Sequence, residues 1–256
     1  MSERRCLVAL CTNLPMVPVQ TAQSLMELGW GDRVARAKAA HGFAAIDHAW
    51  YRTFPRVDAL RDSAADMALT DGYTHLLYLD ADNIWPSDVL FKMLRHAALD
   101  AVVGGLYVMR HPPFAPVALR DGVVPEGSTV TQYQHDDAVA STPDAALREV
   151  DVLGMGCTLI PTAVFRAIGP RPWFVYANDD AGWPCVTEDV PFCQRAKTAG
   201  YRILLDPSVS CGHVTSMVTD IRWHETYQRT QQGMMDALPF RVSWVTSPQA
   251  EPEAAV

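Results

Sequence analysis

Apolar positions along the chain come in two rhythms. Unbroken runs at 6–13 ("CLVALCTN"), 74–80 ("THLLYLD") and 100–108 ("DAVVGGLYV") predict strands buried on both faces. The helical period marks 19–30 ("VQTAQSLMELGW", stopped at Gly29), 57–73 (with Leu60, Ala64, Met67 and Ala68 on one face) and 87–99 ("SDVLFKMLRHAAL", with Pro86 or Ser87 near its start). This β-α-β-α-β order predicts an open, largely parallel sheet in an α/β fold. Ligands of such sheets bind beyond the carboxyl ends of the strands.

After residue 110 the pattern changes. A proline-rich loop, "RHPPFAP", precedes a polar stretch at 120–149 that reads as an excursion or hairpin over the surface. "VDVLGMGCTLIP" returns as a strand and "TAVFRAIG" as a short helix. A loop with two tryptophans follows, then a helix over "EDVPFCQRAKTAGY" and a strand and turn over "RILLDPSVSCGHV".

The 256 residues suffice for one large domain or two small ones, and an apolar fraction of 49% is that of a globular chain. A net charge of -8 argues against coating nucleic acid by bulk charge, without excluding a local basic groove. No apolar run reaches the roughly 18 residues of a membrane span. The start, "MSERRCLVALCTNLP", lacks a signal-peptide hydrophobic region, so a cytoplasmic protein is expected. None of the six cysteines forms C-x-x-C, and they read as small buried side chains.

Five places carry chemistry. The run at 74–86, "THLLYLDADNIWP", ends a buried strand in Asp80-Ala81-Asp82. Carboxylates one residue apart at a strand tip can share a divalent cation, Mn2+ or Mg2+, and the cation can neutralise a diphosphate. Acids also simply favour turns. Glu188 and Asp189 open a helix after Thr187, a plausible N-cap; the helix dipole alone accounts for acids there, and a carboxylate at a pocket rim can also take a proton from a hydroxyl. His213, after Gly212 at the end of an apolar strand, reads either as a structural histidine or as a metal ligand. Gly154 and Gly156 are turn glycines or allow a substrate close to the backbone. Trp173, Phe174 and Trp183 are core residues or faces on which a sugar stacks.

Taken in order, "LLYLDAD", "GGLY", "LGMGCTLIPTAVFRAIGPRPWF", "TEDVPFCQRAKTAGY" and "GHV" resemble the GT-A glycosyltransferases, in particular family 2-like enzymes including small soluble ones of bacteriophages. The resemblance spans about residues 5–215. It implies a single GT-A (Rossmann-like) domain over 1–245, with a nucleotide-binding half at about 1–110, an acceptor-side half at about 111–245 and a disordered tail at 246–256. It implies that Asp80, Ala81 and Asp82 bind the cation and the donor, a nucleoside diphosphate sugar (a UDP-sugar as first expectation). His213 matches the third metal ligand. Asp189 matches the base of inverting members, with Glu188 beside it. Thr12 and Asn13 match nucleotide-lining positions, and Arg61 a donor-binding one. No Q-x-x-R-W follows the acid pair, so a non-processive enzyme is implied.

The acceptor is not legible. A hydroxymethylated DNA base, a saccharide and a protein are all open, with the host cytoplasm as the location of a phage-encoded enzyme. "RHPPFAPVALR" and "RWHETYQR" supply arginines, histidines and aromatics able to track a phosphate backbone. A sugar nucleotidyltransferase would show a glycine-rich basic loop after the first strand, where "CTNLPMVPVQ" has neither feature. A D-x-D phosphatase would carry its motif near the first strand. An inactive nucleotide-sugar-binding module is the non-enzyme alternative.

Overall fold

A computed structural model describes residues 3–12, 17–27, 30–52, 56–124, 131–139, 142, 145–178, 184–215, 218–222 and 224–225. In chain order the elements are β1 (Arg4–Thr12), α1 (Val19–Glu27), α2 (Trp30–His41), β2 (Phe43–Arg52), α3 (Val57–Thr70), β3 (His75–Asp80), β4 (Asn83–Ile84), α4 (Val89–Leu94) and β5 (Ala101–Leu106). They continue with β6 (Ala118–Val123), β7 (Gln132–His135), β8 (Arg148–Val150), β9 (Val152–Leu153), β10 (Cys157–Pro161), α5 (Thr162–Ala167), β11 (Ala177–Asn178) and β12 (Pro184–Val186). The last are α6 (Asp189–Thr198), β13 (Arg202–Ser210), β14 (Gly212–Val214) and β15 (Val218–Thr219).

Seven strands make the central sheet, in the order β2-β1-β3-β10-β5-β13-β8. β1 runs parallel to β2 and β3, and β5 parallel to β13, while β10 and β8 run against their neighbours. The expected α/β, mostly parallel sheet flanked by helices is therefore the one found. Two reversed strands are the addition that local pattern did not supply.

The apolar run of β3 follows from its central place. Leu77 and Leu79 pack with Val8, Leu10, Leu90 and Met93 on one face; Leu76 and Tyr78 pack with Ala64, Ala68, Phe165 and Phe174 on the other. Each fully buried leucine contributes about 1.5–3 kcal/mol. Helix α3 lies close because Ala64, Ala65 and Ala68 carry little bulk on its buried face. Met67, expected on that face, is 41% exposed: it falls at the flank of the stripe that runs through Leu60, Ala64 and Ala68.

Other expectations are adjusted. α2 and β2 occupy 30–52, a stretch for which the sequence pattern named no element. Only Val89–Leu94 of the helix expected at 87–99 is α-helical. The excursion at 120–149 contains the hairpin β6/β7, and its end, β8, returns to the edge of the central sheet. Trp173 and Phe174 are core residues, buried against Phe165 and Phe192 rather than open to a sugar. Trp183, Asn13 and the tail at 246–256 lie outside the described residues. Cys6, Cys11, Cys157, Cys193 and Cys211 are free and buried. Among the described residues no helix is long and apolar enough to cross a membrane.

One buried histidine gives the fold a pH dependence. His75 at the start of β3 is enclosed, its Nε2 on the Ala97 carbonyl at 3.0 Å and its Nδ1 2.8 Å from the Thr74 hydroxyl. Burial pushes its pKa down to about 4. Above the unfolded value of about 6.5 the ring is neutral in both states; as pH falls toward 4 the unfolded chain takes up a proton that the fold refuses, and stability is lost. Urea unfolding at about pH 7 and pH 4.5 should show about 2 kcal/mol more loss in the parent than in His75→Gln. Equal losses in the two proteins would remove His75 as the cause.

Candidate active site

At the carboxyl edge of the sheet one cavity of about 280 Å³ is lined by Cys11 and Thr12 from the end of β1, Val57 and Arg61 from α3, and Asp80, Ala81, Asp82 and Asn83. Tyr107 and Arg110 beyond β5, Tyr176, Thr187, Glu188 and Asp189 before and at the start of α6, and His213 on β14 complete it. Residues far apart in the chain thus meet, because parallel strands deliver their ends to the same edge.

The question posed by the acids of "LLYLDAD" has a geometric answer. The Ala81 amide continues the β1 pairing by donating to the Cys11 carbonyl at 2.8 Å, and the Ala81 side chain is buried. β3 ends at Asp80 and the chain turns through Ala81 and Asp82, and both carboxylates line the cavity. The Asp80 amide is held by the Gly156 carbonyl at 2.9 Å, and the Asp82 carbonyl accepts from Val214 at 2.7 Å. β4, directly after the motif, pairs with β14, so that His213 stands opposite Asn83.

The two carboxylates have different partners. Asp80 takes both terminal nitrogens of Arg61, at 3.1 and 3.0 Å. Arg61 is itself buried, 4% exposed, and its Nε donates to Glu188 at 2.9 Å. Burial pushes the Asp80 carboxyl above the usual range against the pull of Arg61, with the Asp82 charge adding to the rise. For Asp82 burial also acts upward, but contact with His213 and the guanidinium of Arg110 outweighs it and holds the carboxyl below the usual range. Arg110 Nη1 lies 3.1 Å from Asp82 Oδ2, and His213 Nε2 lies 3.5 Å from the same oxygen.

His213 is set by its surroundings. Nδ1 is 2.8 Å from the Val108 carbonyl, which fixes the ring and turns Nε2 toward Asp82. The ring meets Tyr107 edge-on at 5.6 Å. Tyr107 fits because residues 154 and 156 have no side chain: a Cβ on Gly154 would sit 2.0 Å from its hydroxyl, and one on Gly156 3.0 Å from its ring. Gly154 and Gly156 are therefore not among the residues lining the cavity, contrary to the expected donor contact; they are spacers for Tyr107. The amide nitrogen of Asn83, buried beside Gly156, has no hydrogen-bond partner among the described residues.

The acid pair also divides. Glu188 lines the cavity but is 4% exposed, and one of its carboxylate oxygens is paired with Arg61. Asp189 lines the cavity, and burial, with the Glu188 charge, pushes it up to about 6. Thr187 is not a side-chain cap: α6 starts at Asp189 with Glu188 in the cap position, and the Thr187 hydroxyl donates to Asp189 Oδ1 at 2.5 Å.

As a cation site the arrangement fits in part. His213 Nε2 and Asp82 Oδ2 face one another at a separation two ligands of one ion can have. Asp80 has both oxygens on Arg61, and among the described residues no group of three His, Cys, Asp or Glu is placed to hold an ion. Of the expected ligand trio, Asp82 and His213 face each other while Asp80 faces Arg61.

Sequence reading missed Arg110 and Tyr176 as cavity residues. Arg110 extends the same strand end as Tyr107, a signal obscured by the prolines after it. The described arginines of the two segments expected to track phosphate are engaged: Arg110 with Asp82, Arg120 with Asp121 and Asp136, Arg222 with Asp220, while Arg229 lies outside the described residues.

No protein-family model matches the chain, and no curated protein matches it. Among solved structures it is similar to A197 from STIV, with 19% identity over 82% of this chain and 86% of that one, at a TM-score of 0.53. A looser similarity is to GalNAc-T7 with UDP, GalNAc and Mn2+, at 13% identity over 83% of this chain and 43% of that one, TM-score 0.48. Another is to UDP-glucose pyrophosphorylase complexed with UDP-glucose, at 10% identity over 90% and 100%, TM-score 0.41. The likeness to A197 concerns architecture, and the two looser ones add nothing to it.

Proposed function

We propose that the chain is a glycosyltransferase that moves a sugar from a nucleoside diphosphate sugar, a UDP-sugar in the simplest case, to a hydroxyl acceptor, one sugar at a time and with inversion. The observation that carries this reading is the single cavity in which Asp82 and His213 face each other while Asp189, with a carboxyl raised to about 6, lines the same space.

Asp82 and His213 would hold a Mn2+ or Mg2+ ion. When bound, the ion supplies Lewis-acid stabilisation of the charge that grows on the departing diphosphate. Arg110, at the exposed side of Asp82, is placed to add positive charge to the same oxygens. Arg61 fixes Asp80, leaving that carboxylate's unoccupied lone pairs toward the cavity for a donor hydroxyl. Tyr176, 36% exposed at the rim, offers a face for a ring of the donor. Thr12 stands at the end of β1 for the nucleotide. Asp189 accepts the proton of the acceptor hydroxyl as its oxygen attacks the anomeric carbon opposite the leaving group, which inverts that centre.

The acceptor classes are those of the sequence reading: a hydroxymethylated DNA base, a saccharide or a protein. The alternative of a sugar nucleotidyltransferase would consume a nucleoside triphosphate and release pyrophosphate; a binding module would turn over nothing.

The test is a thermal-shift panel of UDP- and GDP-sugars with Mn2+, read beside nucleoside diphosphate release. A true donor at about 100 times its Kd stabilises the fold by about 2.7 kcal/mol, a shift of about 5–10 °C. Asp82→Asn should lose the manganese-dependent part of that shift. A panel in which no sugar nucleotide raises the melting temperature, or an Asp82→Asn protein that responds as the parent does, would remove the proposal.

A further inference from the structure

A second cavity lies away from the first. It encloses about 400 Å³ between α2 and the start of α4, and its lining is Arg33, Arg36, Ser87, Asp88, Leu90 and Phe91. Ser87 follows Asp82 by five residues, so the two Cα atoms are at most ~18 Å apart.

Its charge is unlike that of the rest of the molecule. The chain carries a net -8, yet α2 sets Arg33, Arg36 and Lys38 against one acid, Asp32. The arginines of the first cavity and of the proline-rich segment are all held by carboxylates. Among the described residues Arg33 and Arg36 pair with no acid. Arg33 donates to the Ser87 carbonyl, which anchors its guanidinium at the cavity wall and leaves its other N–H groups for a ligand. Asp88, the acid in the lining, is half exposed and pairs with Lys92 at 3.2 Å rather than with either arginine. Two guanidinium groups that no carboxylate pairs with form an arrangement that binds phosphate.

The cavity also has an aromatic wall. Phe91 is 44% exposed, and His41 packs against its ring at 4.7 Å. A phenyl ring held by a second ring keeps one face in water at a cost of apolar exposure. A flat ring laid on it removes that cost, as bases do on the aromatic residues of nucleic-acid-binding grooves.

We infer that this cavity is a separate binding site for a nucleotide unit, its phosphate on Arg33 and Arg36 and its base on Phe91. The unit comes either as a free nucleoside monophosphate or as one residue of a single strand of nucleic acid. The assignment stands without the reading of the first cavity, since it uses none of the same side chains.

The experiment measures binding of a fluorescein-labelled single-stranded DNA of about 12 nucleotides by anisotropy, and of AMP by calorimetry, to the full chain. Arg33→Glu/Arg36→Glu should weaken whichever probe binds by at least about tenfold, and Phe91→Ala by about fivefold or more. Arg36 and Phe91 are exposed, so the single variants Arg36→Glu and Phe91→Ala keep the fold and give the result should the double variant not. DNA binding that falls steeply with added salt and is poorly displaced by AMP identifies the strand; AMP binding without DNA binding identifies the free nucleotide. Asp82→Asn should bind either probe as the parent does. The inference is overturned when neither probe binds, when Arg36→Glu and Phe91→Ala bind as the parent does, or when Asp82→Asn alone abolishes binding.

Discussion

Asp189→Asn is expected to lower turnover by about 10²–10⁴-fold while leaving the affinity for the donor within about twofold. The factor corresponds to about 3–5 kcal/mol of transition-state stabilisation. The amide is the same size as the carboxyl and can still accept from Thr187, so the cavity keeps its shape. What disappears is the ability to receive a proton. The pH profile gives a second, independent signature. With its carboxyl raised to about 6, Asp189 is protonated and idle below that pH and competent above it. Turnover should therefore rise with pH up to about 6 and then level off. Thr187→Val should move that limb to higher pH, because the Thr187 hydrogen bond favours the ionised form and its loss raises the carboxyl further. Release of nucleoside diphosphate from the donor, timed across pH, measures both effects. An Asp189→Asn enzyme that turned over within about threefold of the parent would take the base away from this residue.

How much of this was legible in the sequence depended on whether a residue's partner was near it in the chain. The run ending at Asp80 announced itself because both faces of β3 are covered, which leaves no polar position until the strand leaves the sheet. β2 did not, because it is an edge strand: Ala44, Asp47, His48, Trp50 and Arg52 face solvent, and the alternation that remains is broken. β10 was read as a strand, but its place between β3 and β5, running backwards, is set by pairings with residues about 80 and 55 positions earlier. The same distance hides the division of labour in the site. "TED" gives no sign that Glu188 belongs to an arginine 127 residues upstream while its neighbour faces the cavity. Gly154 and Gly156 read as turn glycines or as room for a substrate, and the side chain that lies against both is Tyr107. Aromatic residues in a loop are ambiguous for the same reason. Phe174 stacks on Phe192 at 4.6 Å, and Tyr176, two residues on, is the one that reaches the rim.

Arg61→Met is expected to cost about 3–5 kcal/mol of stability, more than any surface change in the molecule. The guanidinium is the one counter-charge that Asp80 and Glu188 share among the described residues: its Nε serves Glu188, its two terminal nitrogens serve Asp80, and its Cζ lies 5.6 Å from the centroid of the Tyr78 ring, whose hydroxyl donates to the Arg61 carbonyl at 2.6 Å. Methionine fills much of the same volume, so little of the loss comes from packing. The loss comes from leaving two carboxylates enclosed without a counter-charge. Arg61→Lys should recover only part of it, since an ammonium cannot reach both acids with the geometry of a fork. The decisive variant is Arg61→Met/Glu188→Gln. Removing the stranded Glu188 charge should return at least about 1 kcal/mol relative to Arg61→Met, although Glu188→Gln alone destabilises the parent; that change of sign is the coupling energy of the pair. Urea unfolding of the four proteins measures it. Independent, additive losses would show that Arg61 and Glu188 are only neighbours. The functional consequence follows from the same hub: Asp80 loses its anchor, so Arg61→Lys should raise the KM for the donor more than it lowers kcat, whereas Asp189→Asn does the reverse.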